Sequence, residues 1–156
     1  MNVRIGVQRI TQRGQALVEF SLAIVLFLAM LMGIFDVGRA IFMYNGVSEA
    51  AREIARRAAV YPFLSVASAA TLGSSLEAQA TIATQRQIVP GMAPVVAGPP
   101  NFECVDIAGN PSANAACGFG DARDYVRVTV SASFQPALLG LMGPITLESK
   151  SSVAVP

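Results

Sequence analysis

Few residues in this chain are equipped to do chemistry. No histidine occurs in its 156 residues, so neither a Ser-His-Asp nor a Cys-His catalytic group can be assembled, and the commonest zinc ligand is missing. The two cysteines, Cys104 and Cys117, flank Val105 to Ala116, a stretch with no basic residue to lower a thiol's pKa. They are too far apart for a Cys-x-x-Cys redox pair and suit a structural disulfide. Asp106, Asp121 and Asp124 could in principle gather around calcium. However, the Asp-Ala-Arg-Asp run at 121–124 lacks the alternating ligands, glycine and distal glutamate of an EF-hand loop, so no metal site is expected. Gly118-Phe119-Gly120 has neither the lysine nor the strand-to-helix setting of a phosphate loop. What remains is Glu19, alone in an apolar run, and the pair Asp36 and Arg39 just beyond it. At i and i+3, those two are spaced as an ion pair marking a membrane interface.

The elements that hold these residues follow from composition. Hydrophobic residues make up 53% of the chain and charged ones 13%, against about 25% charged in an average soluble domain. The net charge of +1 is no footprint for nucleic acid. The apolar excess is concentrated in ALVEFSLAIVLFLAMLMGIF, Ala16 to Phe35. As a helix that run spans about 30 Å, the thickness of a bilayer's hydrocarbon core. Arg4, Arg9 and Arg13 precede it without an acidic residue, which puts the N-terminus in the cytoplasm and the rest outside. Helical character continues to Val60, with Asn45-Gly46 as a point where the helix could bend. Val47, Ala50, Ala51, Ile54 and Ala58 form a stripe that must pack on something. Glu49 with Arg52, and Glu53 with Arg56 and Arg57, fall at pairing distance on the helix surface. The three arginines are read as a solvated, ion-paired face, with anionic headgroups or a partner subunit as the other reading.

Pro62 ends this helix. A second, short helix is expected from about Leu76 to Ile88, starting at Ser74-Ser75, with Leu76, Ala80, Ala83 and Gln87 along one side. Phe102 to Ile107 reads as a short strand and Asn110 to Gly120 as a loop. Tyr125 to Ser131 alternates apolar and polar, the clearest strand signal, and Ile145 to Val155 is a weaker strand. The resulting expectation is an α+β fold. Residues 1–14 are a basic leader, 15–61 a long helix with its membrane segment at 16–35, and 62–156 a small extracytoplasmic domain with an antiparallel sheet.

The junction of leader and apolar run suggests processing. An ordinary signal peptide has a shorter apolar core, and Asp36 and Arg39 would sit in its cleavage region. A peptidase cutting on the cytoplasmic side between Gly14 and Gln15 would instead remove three bases and no acids, taking the net charge from +1 to −2. Glu19 would then be the fifth residue of the mature chain. This arrangement is similar to that of type IV pilin-like proteins. The fuller string from Arg13 to Ala59, with Asp36-x-x-Arg39, Tyr44-Asn45 and Ala51-Arg-Glu-x-Ala-Arg56, resembles the TadE/TadG-like family of tight-adherence (Flp, type IVc) pilus proteins. The C-terminal string from Val126 to Val153 resembles the family's closing strand, turn and strand.

The resemblance implies a membrane-anchored pseudopilin or minor pilin acting in filament assembly. Its partners would be other pilin subunits, a prepilin peptidase, the assembly machinery and membrane lipid, with no cofactor. It also implies that Glu19, beside Phe20, meets the free amino group of a neighbouring subunit's Gln15. Position alone leaves a second reading, in which Glu19 snorkels to the cytoplasmic interface. Two other functions stand beside this one: the main polymerising subunit of a filament, and a membrane-tethered binding module or enzyme. The last would need convergent polar groups among the few that follow Pro62.

Overall fold

Helix α1 spans Val7–Val60 without a break. It contains no proline and is rich in Leu, Ala, Met, Glu and Arg, all strong helix formers. At 1.5 Å per residue it is about 80 Å long. The computed structural model describes residues 7–60, 71–111, 117, 124–137 and 143–155, with side chains from Gly14 onward. The helix runs from Val7 through the Gly14–Gln15 junction and, as read from the sequence, continues unbroken through Asn45-Gly46. A Cβ at Gly46 would make ordinary contact with Val89 Cγ2, at 3.5 Å. Pro62, read as the helix stop, lies outside the described residues.

The two halves of α1 meet different surroundings. From Gly14 to Phe35 none of its residues is buried. From Asp36 onward one stripe is: Val47, Ala50, Ala51, Ile54 and Ala58 are wholly inaccessible to solvent. The small alanines let the helix backbone approach closely, and the sheet supplies the bulk. Helix α2 (Leu76–Ile88) packs on α1. It is capped by Ser75, whose Oγ accepts the Ala78 amide. Its buried residues are Ala78 and Ile82, with Val89 just beyond. Leu76, Ala80, Ala83 and Gln87 are exposed, so the expected face of this helix is the wrong one.

Strands β1 (Phe102–Val105), β2 (Tyr125–Phe134) and β3 (Ile145–Ala154) form an antiparallel sheet in that order. Val128 of β2 stands opposite both Phe102 and Ser151, which fixes the register. Val126, Val128, Val130, Ala132 and Phe134 alternate onto the buried face. Leu147, Ser149, Ser151 and Val153, their neighbours on β3, share that face half-buried. Helix α1 packs across β2 and β3. β1 is shorter than expected because Asp106–Asn110 is a turn; the rest of β2's edge is held by Gly91, Ala93 and Asn101 through backbone hydrogen bonds. The Phe102 ring closes the core over Gly73, whose positive φ and lack of a Cβ both matter: a Cβ would lie 2.6 Å from the ring.

Candidate functional site

The first candidate region is the bare half of α1. Gly14, Gln15, Glu19 and Phe20 are all exposed, and nothing lies within 4 Å of where a Gly14 Cβ would be. Glu19 is surrounded by exposed Leu17, Val18, Phe20 and Leu22. Among the described residues it has no ion-pair partner within its own chain. Continuous apolar exposure over such a length is stable only against lipid or other chains. This helix is long and apolar enough to cross a membrane.

The second region is the point where the bare half meets the domain. Asp36 is the first residue past the apolar run and is 7% exposed. Its Oδ1 accepts the amide hydrogen of Ala137 at 3.0 Å, tying α1 to the segment that follows β2. The same oxygen lies 3.6 Å from an Arg39 guanidinium nitrogen. That guanidinium sits over the Phe134 ring, 5.5 Å from its centroid, within range of a cation–π contact. Sequence reasoning found Asp36 and Arg39 but missed Ala137 and Phe134. Phe134 continues the alternation of β2 by one more inward step, which was the available signal; Ala137 carried none.

Further along α1, Glu53 bonds both Arg56 and Arg57, at 3.1 and 3.2 Å, and Arg52 lies 4.0 Å from Glu49. The hydrogen bond from Arg56 holds the Glu53 carboxyl below its ordinary range. The three arginines are therefore engaged on the helix surface.

At the far end of the sheet, Cys104 and Cys117 are joined by a disulfide. Beside it the Asp106 carboxylate accepts the Asn110 backbone amide at 2.8 Å, and this bond lowers its pKa. Gly109 offers its carbonyl to Arg127. Asp106 is thus used within its own turn. Asp121 and Gly118–Gly120 lie outside the described residues. Among the described residues no group of three metal-ligating side chains comes together.

With this geometry in place, comparison with known families finds a similarity along the helix. Residues 14–56 match the family of TadE-like proteins. No curated protein and no solved structure matches the chain. The TadE-like segment lies wholly within α1: it opens at Gly14, takes in the bare half and the Asp36–Arg39 step, and ends at Arg56 in the buried stripe. The C-terminal strands, α2 and the disulfide lie outside it. What the TadE-like segment specifies is therefore the anchor and its docking face.

Proposed function

We propose that this protein is a membrane-anchored, pilin-like subunit, a pseudopilin or minor pilin, with a structural and non-catalytic role in assembling a Tad (Flp, type IVc) pilus. The observation that carries this reading is the placement of the TadE-like segment on one helix, bare over its first half and docked to a folded domain over its second. A subunit built so can insert one half among lipids or neighbouring helices while the other half carries the domain. The size of that domain favours a minor subunit over the main polymerising one. The disulfide supports a domain outside the cytoplasm, where such bonds persist, and the basic leader supports an N-terminus inside. In this reading a prepilin peptidase cuts between Gly14 and Gln15, and Glu19 pairs with the new amino group of an adjacent subunit.

The test is the intact mass of the protein recovered from membranes and from sheared filaments, with pilus formation scored in a Glu19→Ala strain. The expected species begins at Gln15, and Glu19→Ala inserts normally but fails to enter filaments. A chain still beginning at Met1 in the filament fraction, or cut after Ala40, would overturn the processing. Wild-type assembly by Glu19→Ala would leave the snorkelling reading of that residue.

A further inference from the structure

Apolar exposure on α1 does not stop where the membrane-length run stops. Val37, Ile41 and Phe42 are exposed beyond Phe35, Phe42 to 76%. Phe35, Gly38 and Phe42 on α1, with Pro90 and Phe134 opposite, frame an open groove of ≈ 560 Å³ whose one charged wall is Arg39. Gly38 leaves it open, since a Cβ there would meet nothing within 4 Å. The two charges beside the groove are treated differently. The Asp36 side chain is turned inward and 9% exposed, whereas that of Arg39 is 60% exposed. Beside the Phe134 ring and one contact with Asp36 at 3.6 Å, the 60% exposed guanidinium keeps donors open to solvent.

The groove is continuous with the bare half of the helix, so whatever solvates that half reaches the groove as well. Arg39 stands four residues past Phe35, about 6 Å along the axis. Each headgroup layer adds about 5–7 Å to the hydrocarbon core, so Arg39 falls at the depth of the phosphates. We propose that the groove seats an anionic phospholipid, its acyl chain against Ile34, Phe35 and Gly38, its phosphate on Arg39 and the rest of its headgroup toward Phe42. The rival occupant is a second copy. Docking through the same face would set Arg39 against Arg39, with no acid among the groove's described lining residues to receive either, which like-charge repulsion opposes.

The proposal rests on the membrane-anchored reading above, and its test separates the two. The full chain is reconstituted into phosphatidylcholine vesicles with and without phosphatidylglycerol, floated, extracted into mild detergent and examined by native mass spectrometry. Flotation of the wild type in both mixtures is expected; its failure would remove the anchor itself, whatever the groove does. Given flotation, the wild type should retain phosphatidylglycerol in preference to phosphatidylcholine. Arg39→Ala should retain about fivefold less, the effect of one cation at an anionic surface, and Arg39→Lys should restore most of it. Gly38→Leu fills the groove without touching the charge and should lose the lipid too, whereas Arg52→Ala should keep it. Equal retention by all variants, or no preference for the anionic lipid, overturns the proposal. A photo-crosslinking residue at Phe42 should label lipid; labelling a second copy instead would also overturn it.

Discussion

Asp36 accepts a hydrogen bond from an amide 101 residues away in sequence, which makes it the latch between the anchor and the domain. Asp36→Ala removes the acceptor of the Ala137 amide; Ala137 itself is exposed, so water can replace it and the loss is that of an ordinary hydrogen bond, about 0.5–1.5 kcal/mol. The Ala137 amide should therefore exchange hydrogen about 2- to 10-fold faster in Asp36→Ala, while Asp36→Asn, which keeps an acceptor oxygen, should stay near wild type. Equal exchange in all three would show that the latch contributes nothing. The i, i+3 spacing made the Asp36–Arg39 pair legible in sequence. The inward turn of Asp36 was not, because its partner sits on another element and carries no side-chain signal. Glu53 gives a second check. Its pKa is lowered by Arg56, so its stabilising effect is present above its ordinary value of 4.5 and is lost as pH falls through the lower folded value. Being a surface pair, it is worth less than about 1 kcal/mol. The urea midpoint of Glu53→Gln should lie slightly below wild type at neutral pH and converge with it as the carboxyl protonates on acidification; a gap that widened on acidification would contradict the assignment.

Between elements, the stability of the domain rests on the alanine-rich stripe of α1 lying against β2. Ile54 is the largest side chain of that stripe and is wholly buried. Ile54→Ala should cost about 2–5 kcal/mol in a urea melt, and a loss under about 1 kcal/mol would mean the stripe is not the core. Gly46 predicts the opposite sign. A Cβ there makes ordinary contact with Val89 at 3.5 Å, and alanine is better than glycine in a helix by about 0.8–1.0 kcal/mol. Gly46→Ala should therefore be neutral or stabilising, and a marked loss would show that α2 cannot tolerate the added methyl. Periodicity revealed the α1 stripe and the β2 alternation because each repeats over many residues in one environment. It was of no help on α2, where Leu76 is exposed and Ala78 and Ile82 are the buried residues. Thirteen residues, many of them Ala, Thr and Gln, do not define one apolar side. β1 stops at Val105 for a similar local reason: Asp106 prefers to bond Asn110 than to extend the ladder.

Taken whole, the molecule hangs a small core on one long helix, and such a core needs reinforcement away from the helix. Cys104 and Cys117 supply it. β1 is held to β2 by only four residue pairs, of which Cys104–Val126 is one. Cys117 is buried beyond the far end of β1, so the bridge fastens a short edge strand to the loop that follows it. With thirteen residues of separation, removing the link should cost about 3 kcal/mol through the entropy returned to the unfolded chain. The Cys104→Ala/Cys117→Ala variant should show a lower urea midpoint by that amount, with the α1 signal of the bare half unchanged because none of its described side chains is buried against the domain. The same bond tests the orientation of the molecule. Protein taken from the cell envelope without reductant should carry no alkylatable thiol, since a domain outside the cytoplasm is oxidised where it resides. Two reactive thiols before reduction would place the domain inside, and the leader, the anchor and the assembly role would all have to be turned around.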